Sequence, residues 1–190
     1  MGCRRRTRGF TLIEAMIVVV VVGVLALLAV VAYRRWVQSS YVAEAQDMVS
    51  NIRTAEEGFY AENGGYLDVS GCLGINCTYP LQKPGSSKTA WGGPCGWCTN
   101  PTTAWGGLTV HPNAPLIFGY AVIADKAIPM SSRVGAIKVN GKLIDVTSAP
   151  AGAPWYFVEA DANVSGDSLH YMHVYGMAGN NQIWVDEEGN

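Results

Sequence analysis

The chain has 190 residues, of which 49% are hydrophobic and 15% charged, so it has room for one folded domain plus an appendage and is too apolar to be intrinsically disordered. Four of its thirteen basic residues are arginines before position 9, and the remainder, with nine basic and fifteen acidic residues, carries a formal charge of −6. Such a body has no global basic field, which argues against general nucleic-acid binding and leaves room only for a local basic patch.

An apolar segment follows the arginine-rich start. Residues 15–33 contain no charged side chain, and at about 1.5 Å rise per residue a helix of about twenty such residues matches a hydrocarbon core of about 30 Å. The arginines at positions 4–8 predict a cytoplasmic start, with the chain beyond about residue 36 outside the cytoplasm. A cleavable secretory signal is the alternative, but the apolar run is too long and lacks a small-x-small site at its end.

Glu14 lies near the beginning of this span. An ionised carboxylate there costs several kcal/mol unless a positive charge pairs with it. No basic side chain occurs between Phe10 and Val31. The available partner is a free amino group, which would exist if the chain were cut just before Phe10.

A family resemblance rests on these residues. The segment resembles the type III signal sequence of type IV prepilins, in its motif Arg8-Gly9-Phe10-Thr11-Leu12-Ile13-Glu14 and in the apolar run Met16-Ile17-Val18-Val19 that follows. The resemblance implies that a prepilin peptidase cuts between Gly9 and Phe10 and methylates the new amine of Phe10. It also implies that Glu14 pairs with the N-terminal amine of a neighbouring subunit. Many members have a proline where this chain has Val31, which leaves Gly23 as the weak point for a helix break.

Three parts are expected along the chain: a removable leader (1–9), an N-terminal helix (10–62) and a globular head (63–190). Within the helix, residues 10–33 form the transmembrane segment or filament core. In residues 34–62 the apolar positions recur every three or four residues, which predicts an amphipathic helix whose apolar stripe faces the head. Asn63-Gly64-Gly65 predicts the end of the helix.

The head is expected to consist of a crosslinked loop and a sheet. Residues 67–115 hold most of the glycine and proline and show no periodicity, which is typical of a long loop. Strands are predicted in short runs rich in branched and aromatic side chains, at 115–124, 134–139, 142–146, 155–160, 169–175 and 182–185. Asn140-Gly141, between the second and third of these runs, is a hairpin signal. The fold class is therefore α+β, with the outer half of a long N-terminal helix packed on a small antiparallel β-sheet at 115–186. The resemblance implies the same type IV pilin-like architecture.

Four cysteines cluster in the predicted loop: Cys72, Cys77, Cys95 and Cys98. Outside the cytoplasm an even number of clustered cysteines favours two disulfides, with three possible pairings. A zinc site or a redox-active CxxC is the alternative. Zinc would need four thiolates outside the reducing cytoplasm, and Gly and Pro precede the CxxC where a redox motif would follow a strand and begin a helix.

Trp91, Trp97 and Trp105 lie in the same loop, the first and last within a repeated Thr-Ala-Trp-Gly-Gly. If exposed, these rings would form an aromatic surface able to stack on sugars, bases or another subunit. The alternative is a small local core beneath the loop, which the usual burial of large aromatic side chains favours.

A possible calcium loop follows the pattern D-x-N-x-S-G-D, with oxygen ligands on Asp161, Asn163, Ser165 and Asp167. The twelfth position is Met172, so the bidentate carboxylate of an EF-hand loop is missing. The same residues are ordinary turn formers. His170 and His173, three apart in a predicted strand, point to opposite faces and make a poor metal pair. No other cofactor is expected.

No combination of nucleophile, base and orienting group suggests an enzyme. The expected function is a structural subunit, major or minor, of a type IV pilus-like filament, with other pilin subunits, the prepilin peptidase and an inner-membrane assembly platform as partners. The alternatives are a pseudopilin of a type II secretion system or a minor tip pilin with an adhesive or DNA-binding loop. Before assembly the chain would cross the inner membrane once with its head in the periplasm, and afterwards it would lie in a surface pilus or a periplasmic pseudopilus.

Overall fold

The computed structural model describes residues 9–92, 105–147, 149–164 and 170–187. The chain forms two compact units, Met1–Ser40 and Tyr41–Asn190. One helix, α1 (Leu12–Asn63), provides most of the described part of the first unit and the beginning of the second. It continues through Gly23 and Val31, so the helix break considered at these positions does not occur. Its N-terminal part is long and apolar enough to cross a membrane.

The second unit contains a four-stranded antiparallel sheet, as predicted. Its strands stand in the order β1 (Gly119–Asp125), β4 (Trp155–Ala162), β5 (Met172–Met177) and β6 (Asn180–Glu187). A small hairpin of β2 (Lys138–Val139) and β3 (Lys142–Leu143) turns at Asn140 and Gly141, whose φ angles of 50° and 76° are those of a type I′ turn.

The prediction of a strand at 134–139 is largely wrong. The short helix α2 (Met130–Val134) ends there and only the last two residues of that run form a strand. Pro129 sits at the N-cap of α2 with extended backbone and Gly135 follows its end with φ of 73°, so proline and glycine bound the helix, a pairing common at helix ends. Branched residues alone therefore misled the strand prediction.

The sheet is covered on both faces because alternate residues of β4 enter two different cores. Tyr156, Val158, Ala160 and Ala162 pack with the buried residues of α1, among them Ile52. On the other face, Trp155 and Phe157 pack with Ile123 of β1, Met130 of α2 and side chains of residues 139–149. The sequence predicted the layer against the helix but not the second layer.

Each outer strand of the sheet has hydrogen-bond partners at some positions of its outer side. Beside β1, Tyr79 and Tyr120 exchange backbone hydrogen bonds of 2.9 and 2.8 Å, and the Ser70 amide donates to the Val122 carbonyl at 2.8 Å. Beside β6, the side-chain amide of Asn140 donates to a backbone carbonyl of that strand at 3.1 Å.

Candidate functional site

The residues predicted for processing and assembly lie at the beginning of α1. Gly9 and Phe10 are exposed, and the helix begins two residues later. Thr11 donates to one carboxylate oxygen of Glu14 from its backbone nitrogen at 3.0 Å and from its hydroxyl at 2.8 Å. The Glu14 amide donates in return to the Thr11 hydroxyl at 3.3 Å. This reciprocal pair is a capping box, which satisfies amide groups that the first helical turn leaves free.

The capping box gives Glu14 a local partner that the sequence analysis missed, although Thr-x-x-Glu is its known signal. Because the carboxylate binds the amide next to Phe10, it lies close to the end of the chain that the expected cut would free. The pairing of Glu14 with the amine of a neighbouring copy stays a prediction.

The remainder of the first unit presents a continuous apolar surface. Large hydrophobic side chains from Phe10 to Trp36 expose between 50% and 80% of their surface. An apolar surface of this extent is unfavourable in water. Lipid or other apolar helices must therefore cover it.

One of the expected disulfides is formed. Cys72 and Cys77 are bonded, with their Cα atoms 5.7 Å apart, and the residues between them form what we call the disulfide ring (72–77). Cys95 and Cys98 lie outside the described residues. The ring is held against β4, because the Gly74 amide donates to the Glu159 carboxylate at 2.5 Å.

The described tryptophans of the loop belong to a core. Trp105 is 3% exposed, and the surface interpretation of this residue is wrong. Trp91 is partly buried and packs on the same core, with ring centroids 5.0 Å from Trp105 and 4.9 Å from Tyr79. Edge-to-face packing of large rings gives a glycine-rich loop the apolar support that it otherwise lacks. Trp97 lies outside the described residues.

A buried polar cluster lies on the second face of the sheet. Glu159 and Asp161 project from β4 on the same side, and Asp161 faces His173 of β5 in the strand register. The Nδ1 atom of His173 is 2.5 Å from a carboxylate oxygen of Asp161. Glu159 is 6% exposed and Asp161 is fully buried. Burial is the main reason why the pKa of each carboxyl is raised.

The possible calcium loop overlaps this cluster at Asp161. That residue lies within β4, not in a loop, and its carboxylate contacts His173. Asn163 is buried, and its backbone amide donates to the Pro84 carbonyl at 3.0 Å. Ser165 and Asp167 lie outside the described residues, so calcium binding stays a prediction.

A further buried carboxylate lies in the interface between α1 and the loop. Glu56 is fully buried and accepts a hydrogen bond of 2.9 Å from the Leu67 amide. Burial is the largest cause that raises the pKa of Glu56 to about 8. Glu56 lies four residues after Ile52 and so continues the apolar stripe of α1, although a carboxylate is not a residue type expected on that face.

Beside the same helix, a groove of about 760 Å³ lies between α1 and residues 107–116. Among the described residues, its lining includes the carboxylates of Glu44, Asp47 and Glu62 and no lysine or arginine. Lys88 nearby forms an ion pair of 2.8 Å with Glu44, which leaves Asp47 and Glu62 as the acidic groups of the groove. The groove is therefore poorly suited to a phosphate backbone.

Comparisons with known proteins match this chain to a methylation motif and to pilin or fimbrial proteins. The family model described as the prokaryotic N-terminal methylation motif matches residues 4–30. The type IV major pilin protein PilA of Myxococcus xanthus is 38% identical over 70 residues, which are 37% of this chain and 32% of that protein. The fimbrial protein EcpC of Eikenella corrodens is 35% identical over 71 residues, 37% of this chain and 46% of that protein.

A longer match extends into the head. A fimbrial protein of Dichelobacter nodosus is 34% identical over 131 residues, which are 64% of this chain and 81% of that protein. The first two matches cover less than half of the relatives' own length, whereas this one covers most of it. No solved structure gives a significant match to the chain.

Proposed function

Because this chain belongs to the type IV pilin family, we propose that it is a structural subunit of a type IV pilus-like filament. The observation that carries the proposal is the methylation motif at residues 4–30 together with the exposed apolar side chains of the N-terminal part of α1. When apolar helices leave the lipid, their packing on one another shields the apolar side chains from water. The relatives are named as pilins or fimbrial proteins, which favours a structural role over an enzymatic one.

The proposed route has three steps. The chain first crosses the inner membrane once, with the leader in the cytoplasm and the head in the periplasm. The prepilin peptidase then cuts between Gly9 and Phe10 and methylates the amine. At the assembly platform, Glu14 of an incoming copy neutralises the Phe10 amine of a neighbour, so that the charge pair sets the register while the apolar helices bundle.

Two variants separate the charge of Glu14 from its role in the capping box. Glu14→Gln keeps an acceptor for Thr11 but has no charge, and we expect it to be inserted and cleaved but absent from sheared filaments. Thr11→Val keeps the charge but loses the hydroxyl contacts, and we expect it to assemble at a reduced level. Glu62→Gln, an exposed carboxylate near the end of the same helix, is the matched control. Normal incorporation of Glu14→Gln would contradict the charge-pairing step.

The location of the mature chain distinguishes a pilus from a pseudopilus. Intact mass spectrometry of sheared surface protein and of the membrane fraction tests this. A surface form that begins at methylated Phe10 indicates an external filament. A processed form found only in membranes would favour a pseudopilin, and an uncut leader in wild-type cells would contradict the whole scheme.

A tip pilin with an adhesive or DNA-binding loop has less in its favour. Trp105 is buried rather than available for stacking, and the groove beside α1 is acidic. Neither feature suits stacking on bases or binding of phosphate.

A further inference from the structure

We propose that Glu159, Asp161 and His173 form a binding site for a divalent transition-metal ion of the zinc type. This site lies on the face of the sheet away from α1, and metal binding there does not depend on filament assembly. It also differs from the calcium loop considered above, because it shares only Asp161 with it.

The geometry brings three ligand atoms together without a change of fold. One ligand atom from each of the three side chains lies within 4.8 Å of the other two. A tetrahedral ion with bonds of about 2.0–2.2 Å separates its ligands by about 3.3–3.6 Å. The Asp161 oxygen and the His173 Nδ1 atom, now 2.5 Å apart, would therefore move apart by about 1 Å as an ion replaces the proton between them.

Burial and charge supply a second, independent reason. The other carboxylate oxygen of Asp161 is buried and has no hydrogen-bond partner among the described residues, which is a costly state for a polar atom. In the metal-bound state the three ligands would be two ionised carboxylates and a neutral imidazole, whose charge of −2 one divalent ion neutralises. The ion would also give the buried, unpartnered oxygen of Asp161 a partner.

The donor set selects the class of ion. One imidazole nitrogen and two carboxylate oxygens suit zinc and its first-row neighbours, whereas calcium and magnesium prefer oxygen donors alone. The side chain of His173 is 19% exposed and that of Asp161 is buried, so the cluster lies just beneath the surface. A water molecule would be the fourth ligand of a tetrahedral ion held by these three side chains.

The surroundings hold two of the ligands in place. The Gly74 amide of the disulfide ring donates to the Glu159 carboxylate, and the His173 ring stacks on Tyr175 with an angle of 4° between the planes and a centroid distance of 5.9 Å. Outer contacts of this kind orient metal ligands and raise affinity.

The test is metal binding by the untagged, full-length chain in detergent after treatment with a chelator. We expect calorimetry to show one equivalent of Zn²⁺ bound, and Co²⁺ to give the visible absorption of a tetrahedral centre. Adding Ca²⁺ or Mg²⁺ in excess should not displace Zn²⁺. His173→Gln should weaken Zn²⁺ binding by at least about 100-fold, since removal of outer contacts alone costs about 10- to 100-fold.

His111→Gln is the matched control, because His111 lies in the groove beside α1 and outside the cluster. Asp161→Asn, which nearly preserves shape, provides a second variant in case the histidine variant misfolds, and circular dichroism checks the fold of each. The proposal is overturned if the wild-type chain binds no Zn²⁺, if His173→Gln and Asp161→Asn bind it as tightly as wild type, or if Ca²⁺ competes equally.

Discussion

Replacement of Glu56 by glutamine should change how the stability of the head depends on pH. The folded protein raises the pKa of this carboxyl from its ordinary value of 4.5 to about 8, mainly by burial. Between these two pH values the folded state binds more protons than the unfolded state, so stability falls as pH rises. The stability that the protonated Glu56 carboxyl contributes is therefore fully present below pH 4.5 and is lost as the pH increases through about 8.

The size of the effect follows from the two pKa values. A carboxyl that changes from 4.5 to about 8 on folding removes up to roughly 3–4 kcal/mol of stability between about pH 5 and about pH 8. Glutamine keeps an acceptor for the Leu67 amide but does not ionise. We therefore expect Glu56→Gln to be within about 1 kcal/mol of wild type near pH 5 and about 2–4 kcal/mol more stable near pH 8.

Urea unfolding of the full-length chain in nonionic detergent, followed by tryptophan fluorescence, measures this difference. Other buried carboxyls also titrate in this range, so the quantity to compare is the variant minus the wild type at each pH. Glu62→Gln is the control, because this exposed carboxylate on the same helix should leave the pH dependence unchanged. An equal pH dependence for Glu56→Gln and wild type would refute the assignment of a buried, uncharged Glu56.

The same unfolding assay checks three further expectations. Gly176→Ala should destabilise the head by about 1–3 kcal/mol, because the added Cβ atom would lie 2.9 Å from Val49 of α1. Gly58→Ala, with nothing near its Cβ atom, should stabilise α1 by about 0.5–1 kcal/mol. Equal effects of the two variants would contradict the close packing of Gly176 on α1. Serine at both cysteines of the disulfide ring should cost about 2 kcal/mol from loop entropy, and an unchanged urea midpoint would show that the ring is dispensable. Trp105→Ala should cost about 3–5 kcal/mol, whereas a loss below about 1 kcal/mol would indicate an exposed ring.

Local patterns in the sequence were enough to predict the main elements. The apolar run and the stripe that follows it predicted α1 within two residues at its beginning and one at its end, and Asn140-Gly141 predicted the hairpin. These signals depend on neighbours within one turn of helix or one β-turn, so they can be read without knowledge of the fold.

The residues that the sequence did not reveal depend on distant parts of the chain. Asp161 meets His173 only because β4 and β5 pair in one particular register. A shift of one residue would send each side chain to the other face. The second core layer, with Trp155 and Phe157, likewise becomes visible only after the sheet is known to be covered on both faces.

The hydrogen bonds beside the outer strands have a consequence for the proposed filament. An open strand edge is a template on which any extended chain can add, and it would give an off-pathway route to aggregates at the high local concentration of a growing fibre. Here Ser70 and Tyr79 bond to the outer side of β1, and Asn140 bonds to that of β6. In a filament of the proposed kind, these bonds would occupy backbone groups on which a strand of a neighbouring head could otherwise add.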